Sequence, residues 1–186
     1  MARFLAERMR EAGLKVDADL AERAGLLHDL LRVCDFDSID NSERLQQRFA
    51  VEDIQVWQQV KKKYPGLCHE EAAAELLKKD YPEVAQVIRT HKYAAITGGQ
   101  NQPKTWEQKL VYYADKRVMH DEIVTLTQRL DEAHKRNAHK YGATEQQRKR
   151  TEMIDGLIFE LEKEIFQHIN IEPDDVTAEL IDSYSR

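Results

Sequence analysis

At 186 residues and a formal net charge of −6, the chain is long enough for a sizeable core and too acidic for general affinity to nucleic acid or anionic membranes. Charged residues make up 33 % and aromatics 8 %, and only 7 Gly and 4 Pro interrupt a sequence rich in Ala, Leu, Glu, Lys, Gln and Arg. These are helix formers, so an all-α fold is expected. Cys34 and Cys68 lie outside any C-x-x-C arrangement, which excludes a disulfide scaffold. No run approaches the ~18 apolar residues of a membrane span and no signal peptide is visible, so a cytoplasmic protein is expected.

The spacing of Phe4, Leu5 and Met9 predicts a helix over Ala2–Glu11, closed by Gly13. Asp17 or Asp19 can cap the next helix, which runs through Leu20, Ala24 and Leu27 to about Val33. Its pattern carries His28-Asp29 on the buried face. Residues Cys34 to Asn41 are acidic and irregular, a loop. A polar helix over about Val51–Lys63 stops at Tyr64-Pro65-Gly66. His69 then opens a helix with Ala72, Ala73, Leu76 and Leu77 inward, and Tyr81-Pro82 starts another that ends at His91.

Gly98 to Pro103 reads as a loop. Beyond it one long helical pattern runs from Thr105 to about Asn137, with His120-Asp121 on its polar surface. After a break near Tyr141-Gly142, a long helix is expected over Thr144–His168, and a short one after Pro173. Without repeats or low-complexity linkers, residues 1–186 are expected to form one domain. Residues 1–130 would be its core and 131–186 a helical hairpin packed against it. Lys61-Lys62-Lys63 and Arg148-Lys149-Arg150 read as solvated faces, and Trp57 and Trp106 as packing anchors, with Trp106 also placed to line a pocket mouth.

An ionised carboxylate on a buried face requires a cation, a donor network or protonation. Asp29 therefore stands out, and His69, His91 and Asp115 repeat its chemistry downstream. Four helices each offering imidazole or carboxylate groups read as a metal site assembled in three dimensions. Taken singly, the same residues fit plainer roles: a buried His-Asp pair, a helix-start histidine, an ion pair between Asp115 and Lys116 or Arg117.

The ordered segments AGLLHD, HEEAAAELL, VIRTH and KLVYYADK resemble the HD superfamily of metal-dependent phosphohydrolases. The likeness extends from Met1 to about Leu130. It follows the HDIG-type variant with two extra histidines, and more distantly the HD-GYP phosphodiesterases and diadenosine tetraphosphate hydrolases. The resemblance implies a helical HD bundle in which His28, Asp29 and Asp115 ligate one metal, and Asp29 bridges to a second held by His69 and His91. One or two divalent ions are implied, among iron, manganese, zinc, nickel and magnesium; imidazole with carboxylate suits iron, manganese or zinc better than magnesium.

The activity so implied is hydrolysis of a nucleotide or other small phosphoester by a metal-bound hydroxide. Catalytic roles fall to Asp29 and Arg32, and substrate contacts to Arg32 and Lys116. Arg32 occupies the place of the family's lysine, as Leu30-Leu31-Arg32 stands where the name-giving sequence has Ile-Gly-Lys. A small phosphorylated partner is expected, with no membrane or general nucleic-acid partner; the oligomeric state stays open. The family pattern opens with a further metal-binding histidine, ahead of a Val-Ala pair that matches Met1-Ala2. It would fall upstream of Met1, through a late start or a true loss. The second case makes a non-catalytic, nucleotide-sensing HD domain the alternative.

Overall fold

The computed structural model describes residues 1–37, 39 and 48–184. Helix α1 (Ala2–Glu11) buries Ala2, Phe4, Leu5, Ala6 and Met9, and Gly13 turns the chain with φ +88°. Helix α2 (Ala18–Leu27) starts at Asp17, whose carboxylate accepts from the Leu20 N–H at 2.9 Å. Its buried side chains are Ala18, Ala21 and Ala24. Small residues on that face let α2 approach α1 closely, and a Cβ on Gly25 would stand 3.6 Å from that of Ala2. Helix α2 thus sits at the centre, against α1 and two later helices.

The order continues with α3 (Val51–Lys63), α4 (His69–Leu77), α5 (Pro82–Ile88) and α6 (Trp106–Asp115). Pro82 occupies the first turn of α5, where no backbone donor is needed. Thr105 and Gln108 form a reciprocal capping box at the start of α6. Helices α4 and α5 pack as a pair, and α2, α5 and α6 meet around Leu5, Ile88, Leu110, Tyr112 and Tyr113. Burying each such side chain contributes about 1.5–3 kcal/mol.

The long helix expected from Thr105 to Asn137 is broken in two. After α6 come strands β1 (Val118–Met119) and β2 (Glu122–Ile123), paired antiparallel with Val118 opposite Ile123. His120 and Asp121 form the two-residue turn, with His120 at φ +58°, so this doublet is in a hairpin and not on a helix surface. Helix α7 (Leu126–Arg136) begins afresh from a Thr125–Gln128 capping box. Two signals favour the break: β-branched Val118, Ile123 and Val124, and the Thr-x-x-Gln cap.

Helix α8 (Ala138–Tyr141) leads into α9 (Glu145–Phe166), whose Ile154, Ile158, Leu161 and Ile165 pack onto α6 and the turn at Tyr93–Thr97. Tyr93 donates to Asp155 at 2.7 Å across this contact. Helix α10 (Ala178–Tyr184) returns to α1, with the Tyr184 ring centroid 5.4 Å from Phe4. Helices thus carry the fold, as expected for an all-α chain. Among the described residues no helix is long and apolar enough to cross a membrane.

Candidate metal centre

Helix α2 ends six residues before the expected Val33, and His28 is already its cap residue. A turn follows, with the Arg32 N–H on the Asp29 carbonyl at 2.9 Å, and then a 3-10 turn over Arg32–Asp35. The doublet is therefore not on a buried helical face. The Asp29 side chain is 46 % exposed and His28 24 %. Ending the helix is what swings both side chains to the C-terminal end of α2, where three other elements converge.

His69 is the first residue of α4, and His91 comes from the turn just after α5. Asp115 is the last residue of α6. Both histidines are almost fully buried, and the Asp115 side chain is a quarter exposed. The structure brings all five together. Asp29 Oδ1 lies 3.0 Å from His69 Nε2 and 3.9 Å from His91 Nε2. Its other oxygen, Oδ2, is 3.8 Å from His28 Nε2, which in turn is 3.4 Å from Asp115 Oδ1. One carboxylate thus faces three imidazoles, His69 and His91 with Oδ1 and His28 with Oδ2.

Each ring is fixed from behind. His28 Nδ1 donates to the Gly25 carbonyl at 2.7 Å, and His91 Nδ1 to the Ile88 carbonyl at 2.5 Å. His69 Nδ1 meets Asp35 Oδ2 at 2.6 Å, while Asp35 Oδ1 accepts the His69 backbone N–H at 2.9 Å. With Nδ1–H directed outward, every Nε2 lone pair points into the cluster. His69 and His91 Nε2 then lie only 2.9 Å apart. Two lone pairs and a carboxylate oxygen at such range repel one another unless a cation stands between them.

Ligand atoms bound to one ion at ~2.0–2.2 Å stand about 3–3.5 Å from each other. The His69–His91 and His69–Asp29 separations have that spacing, and His91–Asp29 is slightly wider. Asp29, His69 and His91 each place one such atom within 4.8 Å of the others. The donor set fits a divalent ion. Asp35, His69 and Glu70 form a second compact set, but it uses the Nδ1 that already serves Asp35 as donor, so Asp35 orients the ring.

Electrostatics agree with a cation-seeking cluster. Burial raises the Asp29 carboxyl, yet hydrogen bonds from His69 and His91 and the charges of His28 and Arg32 hold it far below its ordinary value. Partial burial raises the Asp115 carboxyl as well, yet Lys116 and His28 hold it well below its ordinary value. Burial works against the His28 imidazolium, but Asp115 and Asp29 raise its pKa; Asp29 and Glu70 do the same for His69. In the metal-free chain, protons take the place of an ion.

Arg32 lies 3.2 Å from His69 Nε2, 3.6 Å from Asp29 and 3.5 Å from Asp35, with its side chain half exposed. Its guanidinium stands at the mouth of the cluster. Lys116, expected as a substrate contact, is different. It is 7 % exposed, and its ammonium donates to the His91 carbonyl at 2.7 Å and to Asp115 Oδ2 at 2.6 Å. That commitment makes it a strut joining two candidate ligands rather than a group free to meet substrate.

Asp35 was not legible among the candidate residues, because it sits in a stretch whose composition reads as loop. Only its spacing from Arg32 hinted at a shared turn. Residues 38 and 40–47 of that region lie outside the described residues.

The HD domain family model matches residues 1–119, and the chain belongs to this family. HD domains form a superfamily of metal-dependent phosphohydrolases that bind divalent metals, in keeping with the donor set just described. Neither the curated proteins nor the solved structures compared yield a match to the chain.

Proposed function

We propose that the chain is a phosphohydrolase acting on a small phosphoester, a nucleotide among them, with His28, Asp29, His69, His91 and Asp115 as metal ligands. The observation that carries this reading is the convergence of imidazole Nε2 atoms and carboxylate oxygens from four elements onto Asp29. When bound, divalent ions supply Lewis acidity toward phosphoryl oxygens and lower the pKa of a coordinated water.

The protein's own groups prepare that chemistry. Asp29 offers one oxygen to the His28–Asp115 side and one to the His69–His91 side, as a bridging carboxylate requires. Asp35 and the Gly25 and Ile88 carbonyls fix the three imidazole tautomers. Lys116 holds Asp115 and the His91 backbone at a set distance. Arg32 can swing from the cluster's mouth and fork onto a phosphate, a geometry its planar guanidinium favours.

The test is turnover of phosphomonoester and phosphodiester substrates by the manganese- or iron-loaded chain, beside Asp29→Asn. Metal-dependent hydrolysis that falls to background in the variant is expected. Absence of turnover by a chain that binds metal would sink the hydrolase reading. Nucleotide binding without product would then favour a sensing role.

A further inference from the structure

Between the metal centre and α7 lies a cavity of about 580 Å³. That is within the ~300–1,000 Å³ of small-molecule sites and larger than a single phosphate group needs. Asp29, His69, His91 and Asp115 line one side; α7, beyond the residues matched by the family, forms the other. The hairpin puts α7 there: Arg129 Nε donates to the Val118 carbonyl at 2.8 Å and pins the helix to β1.

The overall charge is acidic, but this cavity gathers Arg32, Lys92, Lys116, Arg129, His134 and Arg136. They are not equivalent. Lys116 is committed to the His91 carbonyl and Asp115, and Arg129 to Val118 and Glu132. His134 is held against Tyr93 and Asp155. Lys92 touches the Cys68 sulfur at 3.8 Å, and Arg136, with a side chain 54 % exposed, lies 3.3 Å from Glu132. Such screened contacts give way readily to a better anion.

The cavity's carboxylates are Asp29, Asp35 and Asp115, which take part in the cluster, and the buried Glu70, whose charge, with that of Glu71, also acts on Lys92. Lys92 and Arg136 belong to the turn after α5 and to the last turn of α7. An anion at the carboxyl end of a helix meets the negative pole of its dipole, and cations in that turn offset the repulsion. Tyr93, Leu130 and Ala133 supply apolar wall on this side, and the exposed Lys92 and Arg136 supply its charge.

We propose that Lys92 and Arg136 form a distal anion subsite, which selects substrates with a second phosphate group linked to the one held at the metal centre. The substrate class is then a nucleoside diphosphate or a similar linked-phosphate compound. This rests on the metal-centre reading given above.

The probes are ADP and AMP, titrated by calorimetry into the manganese-loaded full chain. ADP binds the more tightly, and Lys92→Ala with Arg136→Ala weakens ADP by roughly tenfold or more through lost charge-assisted hydrogen bonds, AMP far less. Lys135→Ala, which removes the cation next to Arg136 that does not line this cavity, controls for general field effects and leaves the ADP-to-AMP ratio unchanged. An equal effect of the double variant on both nucleotides, no effect, or the same ratio change with Lys135→Ala overturns the subsite. The two readings separate: ratio loss without turnover keeps the subsite and removes the hydrolase, whereas turnover with an unchanged ratio does the reverse.

Discussion

Two polar clusters meet at the carboxyl end of α6, and they are built on opposite rules. One centres on Arg117, only 1 % exposed, whose Nε donates to the Val124 carbonyl at 2.5 Å and one Nη to the Pro173 carbonyl at 3.0 Å. Its other Nη donates to the Tyr113 hydroxyl and lies 3.5 Å from Glu162, to which Tyr113 itself donates. Burial and Glu162 push the Tyr113 hydroxyl pKa up, so it stays a neutral donor. Every donor there has an acceptor. Two residues earlier, Asp115 enters a cluster in which acceptors face acceptors and an added cation completes the set. Burial of charge is shared by both; what separates a structural lock from a binding site is whether the lone pairs are matched within the protein.

The largest break of that contrast is Arg117→Met. Removing one partner of a buried pair leaves Glu162 uncompensated, at a loss of about 3–5 kcal/mol of stability by urea unfolding. Metal affinity per folded molecule is expected to change little. A variant that kept its stability but lost metal would show that the two clusters are not separate in function.

Asp35→Asn should act in the opposite sense. The amide can still accept from the His69 backbone but holds the ring less firmly, and metal affinity falls by roughly 10–100-fold. Unfolding stability of the metal-free chain should change far less than in Arg117→Met. Calorimetric metal titration beside urea melts checks both halves, and unaltered metal affinity would remove Asp35 from its orienting role.

The smallest effect concerns pH. His28 and His69 have raised pKa values in the metal-free fold, for which Asp115 and Asp29 are responsible against the opposing pull of burial. Their imidazolium–carboxylate pairs therefore stabilise that form fully below the unfolded value of ~6.5, and the gain is lost as pH rises through the folded values. An ion competes with the same protons, so its affinity climbs over that window. Thermal melts from pH ~5 to ~9 should show the manganese-induced increment growing with pH. Arg117→Met leaves the cluster's imidazoles and carboxylates in place and should retain the trend. A flat increment would mean that protons and metal do not share the cluster.

Much of this was readable from residue types alone. Gly13, Asp17, Pro82 and the Thr144–Gln147 cap mark element ends through local backbone chemistry, and the structure has those ends. His28, Asp29, His69, His91 and Asp115 were conspicuous because such groups are rarely left near a core without a partner. Less readable were features set by distant neighbours. The early end of α2 and the break after α6 went unseen because the apolar spacing continues through both. Lys116 reads as a phosphate contact from sequence, whereas its ammonium donates to the His91 carbonyl and to Asp115, and Asp35 reads as loop.

The sequence by itself determined the helical class, most helix boundaries and the residue types able to hold a metal, since propensity, capping and ligand chemistry are properties of short segments. Tertiary structure alone decided which atoms face one another. It turned Asp29 so that its two oxygens meet different histidines, placed Asp35 behind His69, and folded a hairpin that brings the cations of α7 over the same centre. Those relations depend on distances between chain positions far apart, which only packing of the whole core can fix.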